Sequence, residues 1–341
     1  MAELPKFKYK LEAEKPKLGP GGITRGASIN EFPASVGLAG VSMHLDPGAV
    51  RELHWHANAA EWGYVVTGCI RTTIMHPDGS IYTDFFYPGD VWYFPKGYGH
   101  VLQGVGVESS HFILIFDNGN FSEDHTFSIT DFVSSVPSAI AAQSLGLTEA
   151  QVKTLYQGEA YFAQCEIPTN ANGLLTQREK QELITMHKYP LHAQTPRIFE
   201  GGFQRVVTQN DFPISTTICG SLIEIMPGGL RELHWHPNAD EWQYFLEGTA
   251  EVGVFLAQGH FVKDEYEAGD LGYAPMGAGH YIKNTGNTVL KVLVGFNSGH
   301  YQSVDLSEWI AQNPKDIIQG NFGISDETYA ALPKKAKRFI K

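Results

Sequence analysis

RELHWHANAAEW, running from Arg51 to Trp62, recurs as RELHWHPNADEW from Arg231 to Trp242. The offset is 180 residues (231 − 51), and it persists well beyond these two strings. His54 maps to His234, His56 to His236 and Glu61 to Glu241. Downstream, GDVWYFPKGYGH from Gly89 to His100 maps onto GDLGYAPMGAGH from Gly269 to His280, and Phe116 onto Phe296. A period this long is that of tandem domains, not of short stacked repeats.

Within HWH, residues i and i+2 of a strand face the same side, so His54 and His56 can reach one point while Trp55 packs away from it. On a helix the two imidazoles would stand roughly 200° apart and could not share an ion. The small and polar residues ANAA and PNAD suit a tight turn, after which Glu61 or Glu241 opens a returning strand. His100 and His280 each follow a Pro-x-Gly turn and supply a third imidazole. The expected metal ligands are therefore His54, His56, Glu61 and His100 in the first copy, and His234, His236, Glu241 and His280 in the second. Four nitrogen and oxygen donors leave two positions of an octahedral ion open, which suits manganese or ferrous iron. His44, His76, His187 and His260 fall outside the repeated pattern and read as ordinary polar residues.

Around these motifs, short β-branched and aromatic runs are broken by Gly, Pro, Asn and Asp, as in an antiparallel sandwich or barrel. Each β region leads into a helical stretch, ITDFVSSVPSAIAAQSLG or LSEWIAQNPKDIIQGNFG, with a Ser or Thr placed to cap it and a glycine near its end. The expected architecture is all-β: an N-terminal domain over 1–170, with a loop at 120–127, and a C-terminal domain over 171–341. The segment 167–201 reads as the connection between them.

Composition narrows the functional classes. Of 341 residues, 43% are hydrophobic and 18% charged, which is the balance of a globular chain. A net charge of −12 disfavours a nucleic-acid partner. Cys69, Cys165 and Cys219 are widely spaced and read as buried free thiols, neither a disulfide framework nor a zinc finger. No apolar run spans a bilayer, and MAELPKFKYKLEAEKPK lacks the apolar core of a secretory signal. This reading favours the cytoplasm, with export after signal removal as its alternative. The tail KKAKRFIK reads as a solvated helix end, and GPGGITRG lacks the ending of a phosphate loop.

The spacing of Gly48, His54, His56, Glu61 and Gly68, followed by Gly89, Pro95, Gly97 and His100, resembles the two cupin motifs. Its counterpart runs from Gly228 to Gly248 and from Gly269 to Asn284; the first copy departs only in ending on Gly104 where Asn is usual. With RELHWH in both copies, the chain resembles the bicupin oxalate decarboxylases over nearly its whole length. That resemblance implies two jelly-roll barrels, one manganese ion in each, and a carboxy-lyase that converts oxalate to formate and carbon dioxide. It also implies a homo-oligomer, trimeric or hexameric.

The copies differ where chemistry is expected. Twelve residues separate Phe116 from ITDFV, but nine separate Phe296 from LSEWI. The longer loop holds Ser122, Glu123, Asp124, His125 and Thr126, and the resembled family has a Ser-Glu-Asn-Ser-Thr lid there. Glu123 maps onto the family's proton-transferring glutamate; the changed centre of the lid makes His125 a rival base. The second copy's loop, NSGHYQSVD, has no glutamate, and the family's second-domain acidic residue is replaced near Val294. The expectation is therefore that the N-terminal centre does the chemistry, with dioxygen as co-substrate. Arg51 is expected to stabilise charge on the substrate and Arg231 to occupy the same place in the second copy. Tyr161 resembles a tyrosine beside the family's metal centre. The rivals are oxalate oxidase, yielding carbon dioxide and hydrogen peroxide, and a non-catalytic manganese-binding or storage bicupin.

Overall fold

The computed structural model describes residues 4–121, 123, 126–167 and 184–341. Each copy folds into two antiparallel sheets packed face to face, the jelly-roll arrangement. In the first barrel, one sheet orders its strands Asp90–Phe94, Glu61–Thr67, Ser110–Phe116, Ala39–Leu45 and Gly22–Ala27. The other orders Phe127–Ser128, Ala49–Trp55, Gly99–Gly104, Ile70–Met75 and Ile81–Phe86. The second barrel repeats both.

Burial follows the pleat. In Ile70–Met75, one face of which meets solvent, buried residues alternate with more exposed ones. Glu61–Thr67 is buried at five successive positions, because its sheet is covered on both faces. One face lines its own barrel, around Phe86, Trp92, Phe94 and Phe112. The opposite face joins the two barrels, with Trp62, Tyr64 and Ile113 against Trp242, Tyr244 and Leu293. This junction needs two glycines. A Cβ on Gly40 would sit 2.0 Å from the Trp242 ring, and one on Gly220 2.4 Å from Trp62. Each indole thus lies on the bare backbone of the other copy.

The copies also exchange strands. Lys8–Tyr9 pairs with Leu271–Ala274 of the second barrel, and Lys188–Pro190 pairs with Asp90–Phe94 of the first. The expected boundary at 170/171 falls within 168–183, outside the described residues.

Four details depart from the sequence reading. Pro137 and Pro314 split each helical stretch into two short helices, whose second members end at Gly146 and Gly323. Ser128 and Asp305 occupy the N-cap positions, but neither side chain caps its helix; the Asp305 carboxylate is engaged elsewhere. The basic tail is not a helix end, because Phe339–Ile340 forms a strand against Leu230–Trp235. Cys69 and Cys219 are buried as expected, whereas Cys165 is exposed. Among the described residues no helix is long and apolar enough to cross a membrane.

Candidate metal centres

His54 lies in the strand Ala49–Trp55, and the chain turns just past His56 so that Glu61 begins the returning strand. His100, in Gly99–Gly104, stands opposite His54 in register, as His280 does opposite His234. All eight expected ligands are buried, and in each set the donor atoms lie within 4.8 Å of one another.

The imidazoles are oriented from behind. Backbone carbonyls accept from Nδ1 of His54 (Glu52, 2.5 Å), His100 (Tyr98, 2.9 Å), His234 (Glu232, 2.7 Å), His236 (Gln302, 2.5 Å) and His280 (Ala278, 2.9 Å). His56 Nδ1 instead meets Thr126 Oγ1 at 3.1 Å. With Nδ1 carrying the proton, Nε2 presents a lone pair inward, which is the tautomer a metal requires. Nε2 of His100 and of His236 are buried, make no well-aligned hydrogen bond, and stand 3.3 Å from Glu61 Oε2 and 2.7 Å from Glu241 Oε2. Burial, reinforced by Arg51, holds His54 well below the usual histidine range, and burial lowers His56 against the opposing pull of Glu61. Burial opposes charge on Glu61, but His100 and His56 outweigh it and keep the carboxyl well below its ordinary range. Three neutral imidazoles and one carboxylate, each with its donor aimed at a common point, fit a divalent ion in both barrels.

Each glutamate is fixed differently. Trp92 Nε1 donates to Glu61 Oε1 at 2.7 Å, whereas Gln243 Nε2 donates to Glu241 Oε1 at 2.7 Å. The two solutions exclude each other sterically. Trp92 faces Gly63 across the ladder, and Gln243 faces Gly272. A Cβ on Gly63 would lie 2.0 Å from the indole, and one on Gly272 2.3 Å from the Gln243 amide oxygen. Neither donor was among the expected site residues. The signal was available as a reciprocal exchange at the 180-residue offset, Gly63 with Trp92 against Gln243 with Gly272.

Beside the first cage, Arg51, Glu123 and Tyr161 converge from three separate stretches of chain. The fully buried Arg51 donates to Glu123 Oε2 through Nη2 at 3.2 Å and Nε at 3.4 Å. Tyr161 donates its hydroxyl to the same oxygen at 2.9 Å. Its ring is sandwiched by cations, with Arg51 Cζ 3.8 Å and Lys17 Nζ 3.7 Å from the centroid; two like charges could not share one face at that range. Burial and Glu123 hold the phenol well above its usual range. The Tyr161 backbone is left-handed (φ 58°), a cost of ~1–3 kcal/mol for a non-glycine residue. Glu52, the second letter of RELHWH, stabilises that turn: its Oε1 accepts from Tyr161 N at 2.6 Å and its N–H donates to Tyr161 O at 3.0 Å. A cavity of about 210 Å³ adjoins Glu123, with Lys17, Thr24 and Arg25 in its wall. Ser122, Asp124 and His125 lie outside the described residues.

The second cage has a different neighbour. Arg231 Nη1 donates to Asp305 Oδ1 at 2.5 Å and Nη2 to Ser303 Oγ at 2.8 Å. Arg338 occupies the position of Tyr161. It shares φ 58°, its N–H donates to Glu232 Oε1 at 2.7 Å, and its Nε reaches Asp305 Oδ2 at 2.9 Å. Burial would raise the Asp305 carboxyl, but Arg231 and Arg338 outweigh it and bring it down to about 2. The void by Arg231, His234 and Glu241 holds only about 10 Å³, room for one water at most.

The sequence matches the cupin family model twice, over residues 10–153 and 191–330. It is 36% identical to oxalate decarboxylase OxdC of Bacillus subtilis over 98% of this chain and 86% of that protein. The chain belongs to the cupin family, in the branch of the oxalate decarboxylases. A probable oxalate decarboxylase of Arthroderma benhamiae is 34% identical over 99% of this chain and 83% of its own length. A solved structure of the Bacillus enzyme, from work on its Mn(II) centres, superposes with a TM-score of 0.91 at 35% identity. That match covers all of this bicupin and 90% of the Bacillus chain.

Proposed function

We infer that this bicupin is an oxalate decarboxylase, a carboxy-lyase that turns oxalate into formate and carbon dioxide, and that its N-terminal centre carries the reaction. The observation that carries this reading is the Arg51–Glu123–Tyr161 cluster beside a complete cage of three imidazoles and a carboxylate. Manganese is the ion we assign to both cages, held by His54, His56, Glu61 and His100 and by His234, His236, Glu241 and His280. When bound, it supplies an open position for a carboxylate oxygen and, with dioxygen as co-substrate, a one-electron couple that eases carbon–carbon cleavage.

The chain's own groups account for the rest. Arg51 offers donors matched to a carboxylate and holds the substrate's charge in a site that water barely reaches. Glu123 removes the proton of hydrogenoxalate, the carbon–carbon bond breaks, and carbon dioxide leaves. Glu123 then returns the same proton to the carbon that kept the bonding electrons. One hydrogenoxalate thus gives one formate and one carbon dioxide, with charge and electrons balanced. Tyr161 and Arg51 share Glu123 Oε2 and keep the carboxyl facing the substrate through both transfers. Thr126 braces His56 from the same loop, in which we also place Ser122, Asp124 and His125. Arg231 has no catalytic part, because Asp305 engages it.

The test is oxalate turnover by manganese-loaded protein, with formate and peroxide measured together for wild type and Glu123→Gln. Formate without peroxide, lost in the variant, supports the reading. Peroxide as the main product favours an oxidase, and no turnover at all favours a metal-binding storage bicupin. Formate production that survives Glu123→Gln but fails in His125→Gln would move the base to His125. We also propose a homo-oligomer, trimer or hexamer, in which exposed Phe132 and Trp309 are covered; light scattering decides it.

A further inference from the structure

The cages are near copies, yet the residue paired across the ladder with the first histidine of each is not. Ser128 stands opposite His54 in the strand register, and Asp305 stands opposite His234. Ser128 Oγ is buried without a partner and brings no charge there; Arg51 donates to Tyr161 O at 3.4 Å and, at 3.2 and 3.4 Å, to Glu123, a carboxylate that is partly exposed where Asp305 is fully buried. In the second barrel, Asp305 Oδ1 accepts from Arg231 Nη1 at 2.5 Å and from Ser303 Oγ at 3.1 Å, while Oδ2 accepts from Arg338 Nε at 2.9 Å. Asp305 is fully buried and Arg231 nearly so. We propose that Asp305 is a built-in carboxylate that occupies the anion-binding face of Arg231, so that the C-terminal centre holds its metal ion but admits no carboxylate ligand.

The chemistry supports exclusion over mere weakening. A ligand carboxylate at Arg231 would have to displace Asp305 and strand a buried charge, which is strongly unfavourable unless a new partner is found. Room is also lacking: the void lined by Arg231, His234 and Glu241 holds only about 10 Å³. Position 305 therefore decides whether the same RELHWH framework is a site for a small carboxylate or a closed metal site. The inference rests on reading the N-terminal centre as the carboxylate-binding one.

The test is titration of manganese-loaded protein with formate, followed by high-field electron paramagnetic resonance, which separates two Mn(II) ions in different surroundings. His56→Ala identifies the N-terminal signal by weakening that ion. In wild type only the N-terminal signal should shift. In Asp305→Ser the C-terminal signal should shift too, with apparent formate affinity raised by about tenfold or more, the equivalent of one charged hydrogen bond. Asp305→Ser combined with Arg231→Met should lose that response. A C-terminal signal that shifts in wild type, or stays still in folded, fully loaded Asp305→Ser, overturns the proposal. A wild type in which neither signal moves overturns the reading of the N-terminal centre instead, and removes the basis of this one. If the two orphaned arginines unfold the serine variant, Asp305→Asn replaces it. Formate should then raise its melting temperature more than that of wild type, and equal shifts overturn the idea.

Discussion

Trp92→Phe removes the N–H that holds Glu61 and keeps an aromatic ring in the same core. Both residues are essentially inaccessible to water, and the bond is 2.7 Å long to an ionised oxygen. A hydrogen bond to a charged group contributes ~1.5–3 kcal/mol. That bond is made whether or not an ion is bound, so most of its loss should appear as fold stability. The smaller ring also leaves space against Phe86, Phe94 and Phe112, a further cost of about 1 kcal/mol. At roughly 2–4 °C per kcal/mol for a chain of this order, melting should fall by about 5–15 °C. Metal retention changes for another reason. The carboxylate plane is no longer fixed before the ion arrives, and losing such outer partners typically costs ~10–100-fold in affinity. The effect should be confined to the N-terminal ion, because Gln243 still holds Glu241. Chelator competition followed by Mn(II) resonance reads both ions in one sample. Equal weakening at both centres would mean general loosening, and unchanged N-terminal affinity would mean Glu61 needs no such support; either refutes the reasoning.

Tyr161→Phe deletes the 2.9 Å hydroxyl bond to Glu123 and keeps the ring between its cations, so kcat should fall about tenfold with little change in KM; an equal fall in Tm-matched Lys17→Met would shift the role from hydroxyl to ring. Ser128→Asp carries the second barrel's device into the first: the new carboxylate should capture Arg51, and kcat/KM for oxalate should drop by about a hundredfold or more while both ions stay bound. Burial, with His44 stacked on it, lowers His111 to about 4, below its unfolded value of about 6.5. The unfolded chain therefore takes up the proton first, so this group's contribution is complete above pH 6.5 and is lost as pH falls toward 4, by up to about 3 kcal/mol. In His111→Gln the melting temperature should vary less across that window; an unchanged slope contradicts the assignment.

The metal ligands were legible because their geometry is local. Two histidines separated by one residue on a strand share a face, a short polar turn brings the glutamate back, and duplication at the same offset removes coincidence. Strand content and the helices after each barrel were equally readable from apolar alternation and turn residues. The helix caps were not. A polar side chain at an N-cap position satisfies helix amides unless a stronger partner is present. Asp305 has one in Arg231, 74 positions away in sequence, whereas Ser128 Oγ bonds neither the helix amides nor any other group.

Two cages, two barrels and the ion-binding chemistry thus follow from the chain alone, since periodicity and turn chemistry act over a few residues. The longer loop carrying Glu123 already set the first cage apart in sequence, but the partners that surround each cage were not readable there. Glu123 reaches Arg51 across 72 positions and Tyr161 reaches Glu123 across 38, while Trp92 and Gln243 act on glutamates through opposite sides of the same ladder position. Sheet register and the packing of one barrel on the other bring such groups together, and these arise only when distant strands pair.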